Sequence, residues 1–214
     1  MEVAVVDVPR PGRHQRRKEE TRRRLLDATR RLFATRGYHA TRPQDIARAA
    51  DVGTGTFYLH FADKREAFLA FTEEASRELA ERVQASLGPA TTFRARLPAA
   101  IGAVLDFATE NPGVLPAAFA EDAIAAGELQ RGEGMRHRLA QRLATALSEA
   151  MKRGEISNEF DERIIAHGIV GLVQHAASYV GHTGGQREAL LRNLSQFCAS
   201  ALENRRPARK EPTP

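Results

Sequence analysis

The chain has 214 residues, enough to bury a real core, and a composition of 42% hydrophobic and 28% charged residues that excludes a disordered polymer. A single cysteine, Cys198, excludes an internal disulfide, and no cationic start followed by a long apolar run marks a signal peptide. With no uninterrupted apolar stretch long enough to cross a bilayer, a reduced cytoplasmic location and no membrane partner are expected. The net charge of +5 is unevenly placed: residues 1–65 hold 15 Lys/Arg against 8 Asp/Glu, residues 66–214 hold 17 against 19. Concentrated positive charge at one end is the electrostatic footprint of a nucleic-acid binder, and also of an ordinary solvated basic face.

Valine and isoleucine are few beside Ala, Leu, Arg and Glu, so propensity favours an all-α protein. Residues 1–18 hold Pro9, Pro11 and Gly12 and then Arg13, Arg16, Arg17 and Lys18. They read as a flexible basic arm that either tracks phosphates or is a plain tail. From Glu19 to Arg36, Leu25, Leu26, Ala28, Leu32 and Phe33 recur at helical spacing, and Gly37 supplies a stop. The arginines of that helix, Arg22 to Arg24 among them, read mainly as long-range attraction.

A second helix is expected over about Pro43 to Ala50, with Thr41 and Gln44 at capping-box spacing. The turn Asp51-Val52-Gly53 has the length a helix-turn-helix needs, with Val52 as an apolar plug. A third helix, Thr54 to Phe61, puts Phe57 and Phe61 on one inward face and leaves hydroxyls, Tyr58 and His60 outward. Asp63 and Glu66 then open a fourth helix, running to about Leu87.

Gly37-Tyr38, Ala40-Thr41, Asp45-Ile46-Ala47, Ala50, Val52, Gly55-Thr56, Phe57-Tyr58, His60-Phe61, Lys64 and Phe68 together resemble the N-terminal DNA-binding domain of the TetR family of one-component transcriptional regulators. The resemblance covers roughly residues 20 to 70. Two positions depart from the family pattern: Asp51 stands where glycine is common, and Gly53 where a Ser or Thr usually caps the third helix. The resemblance implies a homodimer on a palindromic double-stranded DNA operator, usually as a repressor, released by a small-molecule effector. By motif position it assigns DNA contacts to Arg42, Gln44, Thr54, Gly55, Thr56, Tyr58, Leu59, His60 and Lys64. The chemistry agrees, since Gln pairs with adenine, Thr and Leu meet thymine methyls, and Tyr, His and Lys suit phosphate oxygens. Gln44 carries two readings, because a side chain held in a capping box does not read a base.

The rest of the chain reads as a larger helical regulatory and dimerisation domain. The expected organisation is an arm over 1–18, a helix-turn-helix domain over 19–63, a regulatory domain over 64–203 and a disordered tail over 204–214. Leu97, Ile101, Val104, Leu105 and Ala108 trace a fifth helix that either begins or kinks at Pro98. A short sixth helix is expected over about Val114 to Asp122, a mobile connection over 127–134, and a seventh helix from Met135 to Arg153. From Asp161 to about Gly181 the sequence is apolar nearly all round, and Gln186 to about Glu203 adds another apolar face. Two such helices exceed what one domain needs to cover its own core, so residues 161–203 are expected to pair with a second copy.

Phe107, Phe119, His137, His175 and Tyr179 are candidate residues for a mostly apolar effector pocket; core packing is the competing reading for most of them. His167, His175 and His182 share a helix, but a metal site lacks its remaining ligands, and Cys198 reads as a small core residue. No nucleophile triad, Walker sequence or dinucleotide fingerprint is present, so neither an enzyme, a cofactor nor a metal is expected. A ligand-independent DNA-binding or architectural protein, with a purely dimerising C-terminal domain, is the alternative.

Overall fold

The computed structural model describes residues 12–120, 134–183 and 186–203. They form nine helices: α1 Arg13–Arg36, α2 Pro43–Ala49, α3 Thr54–His60, α4 Lys64–Ser86, α5 Phe93–Glu110, α6 Val114–Ala118, α7 Met135–Lys152, α8 Glu162–Thr183 and α9 Arg187–Ala201. No strand occurs among the described residues. The chain divides into two compact units, the first ending at Phe71 and the second starting at Thr72. This boundary falls inside α4, eight residues beyond the division expected from the turn at Asp63.

In the first unit, α2 and α3 have seven residues each, too short to persist alone. Packing holds them. Phe33, Tyr38, Phe68 and Phe71 form an aromatic cluster with centroids 5.2–6.1 Å apart, and Phe57 and Phe61 stack at 5.6 Å. Leu25, Ile46, Ala47 and Ala67 complete this core. Each large apolar side chain withdrawn from water contributes roughly 1.5–3 kcal/mol, so the cluster outweighs any single cap.

Several local expectations are corrected. The basic cluster Arg13, Arg16, Arg17 and Lys18 is helical, not an arm: α1 begins directly after Gly12, because Arg, Gln, Lys and Glu are good helix formers and no proline follows Pro11. Thr41 is not the cap of α2. Its hydroxyl, fully buried, donates to Gly37 O at 2.8 Å, and Arg42 takes the N-cap place, its N–H donating to the Asp45 carboxylate at 3.1 Å. Asp63 does open α4, accepting from Glu66 N at 2.7 Å, while the Glu66 carboxylate accepts from Ala62 N at 2.6 Å. The fifth helix neither begins nor ends at Pro98; α5 is capped by Thr92 and carries the proline in its interior. α6 stops at Ala118, and residues 121–133, where its expected end and most of the 127–134 connection fall, lie outside the described residues, as do 1–11 and the tail from 204.

In the second unit α7 pairs with α8, and α9 packs on both α5 and α8. Leu97, Ile101 and Leu105 of α5, Ala144 and Leu147 of α7, Ala166 and Val173 of α8, and Leu194 and Cys198 of α9 form one core. Burial pushes the Cys198 thiol up from its ordinary value, as a core residue requires. Arg187 binds α9 to α5 through the Asp106 carboxylate and Gly102 O. The outer faces of α8 and α9 leave Ile164 (71% exposed), Tyr179 (70%) and Phe197 (62%) uncovered. No described helix is long and apolar enough to cross a membrane.

Candidate nucleic-acid interface

α3 is a two-sided helix. Phe57 is fully buried and turns the opposite side outward, leaving Tyr58 half-exposed and Leu59 77% exposed. Large side chains uncovered on adjacent positions of a short helix contribute little to the fold and are available to a partner. Gly55 is exposed, and nothing lies within 4 Å of where a Cβ would stand, so packing does not demand a glycine there. Thr54 and Thr56 are half-buried beside it.

The turn before α3 is built by α2. Asp51 N donates to Arg48 O at 3.1 Å and Val52 N to Ala47 O at 3.0 Å, a paired closure that needs a left-handed residue between helix and strand-like exit. Asp51 supplies it at φ 54°, the only positive φ outside glycine among the described residues. Gly53 precedes α3 with no side-chain cap, so the departure from the usual Ser or Thr is real and Thr54 does not replace it.

Arginines of α1 do more than attract at long range. Arg24 donates to Ala50 O at 2.6 Å and Arg31 to Ala49 O at 3.3 Å, so both meet the carbonyls at the end of α2. The signal was their seven-residue spacing, two helical turns along one face. Arg22 lies over the Phe61 ring at 4.8 Å, and Lys18 stands one turn earlier on the same face. Desolvation first, then the charges of Lys18 and Arg22, hold His60 below its ordinary 6.5, and His60 Nδ1 is buried with no protein partner. The ring is therefore neutral at pH 7 and sits at the end of α3 inside a positive field.

The other predicted contacts divide. Arg42 and Gln44 are exposed at the start of α2, and with Thr41 and Asp45 making the local hydrogen bonds, no capping box holds Gln44. Lys64 is half-buried: its ammonium donates to Tyr38 O at 3.1 Å and lies 4.1 Å from that ring's centroid. It is thus fixed in position by the domain's own core, with further N–H donors remaining on the same nitrogen.

A match to the family model of bacterial regulatory proteins of the tetR family covers residues 25–71, from the first buried leucine of α1 to the last residue of the first unit. These residues are a TetR-family DNA-binding domain. Solved structures similar over nearly the whole chain extend the likeness: a TetR family transcription regulator from Marinobacter aquaeolei VT8 (19% identity, 89% of this chain and 99% of that one, TM-score 0.70), and the fatty acid degradation regulator FadR from Bacillus halodurans (18%, 89% and 97%, 0.69). FadR from Bacillus subtilis, solved with stearoyl-CoA, is similar at 20% identity over 85% of this chain and 99% of that one, with TM-score 0.67. No curated protein sequence matches the chain. The chain has the fold of a TetR-family transcription regulator, and its helix-turn-helix is α2 and α3.

The five effector candidates of the TetR-fold C-terminal unit do not share one cavity. A groove of about 710 Å³ lies along α7 and α8, bordered by His137, Gln141, Thr145, Lys152, Arg163 and His167 among others. His137 borders it and the other four do not; its ring lies 5.4 Å from that of His167. Phe107 and Phe119 are core residues, under the guanidinium groups of Arg82 and Arg136 at 5.3 and 5.8 Å. His175 and Tyr179 are exposed on α8. Periodicity could not separate these fates, because the α8 segment is apolar on every face.

Proposed function

We propose that the chain is a homodimeric regulator that binds a palindromic operator and represses from it, until a small, mostly apolar ligand in the C-terminal unit favours a dimer of the wrong spacing. The observation that carries the reading is the pairing of fully buried Phe57 with outward Tyr58 and Leu59 on α3, inside the matched family domain. In a duplex complex Tyr58, His60, Lys64 and Arg42 bond phosphates, while Gln44, Thr54, Thr56 and Leu59 face base edges and Gly55 lets the backbone approach.

Dimerisation through 161–203 is supported by the uncovered Ile164, Tyr179 and Phe197, apolar groups that a second copy would remove from water. Two recognition helices must then lie roughly 34–36 Å apart to enter successive major grooves. Ligand release follows from linkage: a ligand lowers DNA affinity only by as much as it prefers the state that cannot bind. The stearoyl-CoA of the Bacillus subtilis relative supports an apolar effector. No catalytic step is assigned.

The test is selection of a binding site from random duplex DNA, then gel shift of a Tyr58→Ala, His60→Ala double variant. The variant is expected to stay folded and dimeric and to bind at least tenfold more weakly. Retention of full affinity would remove α3 from the interface.

A further inference from the structure

α4 carries two hydroxyls in an unusual place. Thr72 and Ser76, one helical turn apart and hence on one face, are 0% and 1% exposed. A hydroxyl buried on a helix ordinarily bonds the carbonyl four residues back, as Thr29 and Thr109 do at 2.8 and 2.9 Å. Ser76 Oγ has no hydrogen-bond partner. An orphaned buried hydroxyl costs about 1–3 kcal/mol unless something absent from the bare chain satisfies it.

Arg138 of α7 approaches the same face. Its Nη1 stands 3.5 Å from Thr72 Oγ1, the guanidinium is half-buried, and no carboxylate of the described residues pairs with it. Arg82, Arg153 and Arg187 of the same unit each hold a carboxylate. Arginine cannot shed its charge, so a partly desolvated guanidinium without a counter-ion is an open valence for an anion. Three residues before Arg138, on the same face of α7, Met135 is fully buried, so the space around the cation is apolar.

We propose that Arg138, Thr72 and Ser76 form the head-group site of the effector, and that the effector is a monocarboxylate with an apolar body. One fixed cation matches one carboxylate, whereas a phosphate dianion would leave a charge uncompensated in an apolar setting. The two carboxylate oxygens accept from the guanidinium fork and from both hydroxyls, and the apolar body lies toward Met135. This deepens the effector reading and rests on it, but ligand binding is independent of operator binding and is measured on the free protein.

The experiment is calorimetric titration of the full chain, without DNA, with octanoate and with octan-1-ol as the neutral control. Octanoate is expected to bind and octanol to bind more weakly. Arg138→Gln should weaken octanoate by about tenfold or more and leave octanol unchanged, because only the charge-assisted bonds are lost. Arg138→Lys, which keeps the charge and is the safer variant for folding, should fall between. Ser76→Ala should weaken octanoate a few-fold while raising the melting temperature of the ligand-free protein, since it deletes an unsatisfied group; a structural serine would show the reverse. Absence of octanoate binding, equal binding of octanol, or equal octanoate affinity in Arg138→Gln and the parent chain each overturns the proposal. Loss of operator binding with octanoate binding intact would instead fault the DNA reading.

Discussion

Arg24 Nη2 lies 2.6 Å from Ala50 O, 3.2 Å from Asp51 O and 3.4 Å from the Asp51 carboxylate, so one guanidinium of α1 closes the end of α2. The last carbonyls of a helix have no partner within it and carry its partial negative charge. A cation there satisfies both needs. It also sets the exit direction of the turn, and hence the attitude of α3.

Replacing Arg24 by Ala should therefore lower the stability of the chain by about 1 kcal/mol, the net worth of a half-exposed charge-assisted bond. Thermal unfolding checks this. Asp51→Asn should be nearly neutral, because the ion pair is exposed and Asn tolerates the left-handed conformation as well as Asp. A large loss in Asp51→Asn would show that the carboxylate, not the backbone geometry, holds the turn.

His60 makes stability and binding depend on pH in opposite senses. Its folded-state value lies below 6.5, so below pH 6.5 the unfolded chain binds the extra proton and the folded chain does not. The stability contribution is complete above 6.5 and declines as the pH falls through 6.5 toward the depressed folded value. A DNA phosphate at Nδ1 would favour the imidazolium, so operator affinity should rise as the pH falls from 8 to 6 at constant salt. His60→Gln should flatten both slopes. An affinity that falls with acidification would separate His60 from the phosphates.

Exposed positions of α3 should uncouple binding from folding. Leu59→Ala should change stability by no more than about 0.5 kcal/mol, as surface substitutions do, while weakening operator binding markedly. Gly55→Ala fits sterically and gains helix propensity of roughly 1 kcal/mol in a helix interior, so the protein should be unchanged or slightly more stable and yet bind DNA less well. Stability and gel-shift measurements on the two variants decide whether the glycine serves backbone approach.

Phe197→Arg tests the self-association surface. With its ring already 62% exposed, the substitution should leave helix content intact, and light scattering should report monomers in place of dimers. A variant that remains dimeric would place the interface elsewhere.

How far the sequence carried the reading differs between the two units. In residues 19–68 the boundaries of α2, α3 and α4 were legible to within a residue or two, since glycine stops, the proline at Pro43 and the Asp63–Glu66 cap act locally. Phe57 and Phe61 were read as inward from their spacing, and both are buried. Partner choice was less legible. Thr41 and Gln44 had the right separation for a capping box, but the hydroxyl found Gly37 O instead, because the chain folds back from α1 at that point.

In residues 72–203 helix periodicity again gave the elements, and the all-α class followed from composition and spacing. Which of two apolar faces is covered is not a local property. Phe107 and Tyr179 both looked like pocket residues, yet one is fully buried and the other 70% exposed, since burial depends on which helix packs alongside. Hydrogen-bond partners over long sequence separations were likewise invisible beforehand: Arg24 with Ala50, Lys64 with Tyr38, Arg138 with Thr72. Helix, turn and cap arise from neighbours within about four residues, and the sequence states those neighbours directly. Counter-ions, buried hydroxyls and the exposed face of α8 are settled by residues brought together from distant parts of the chain, and only the packed fold brings them within reach.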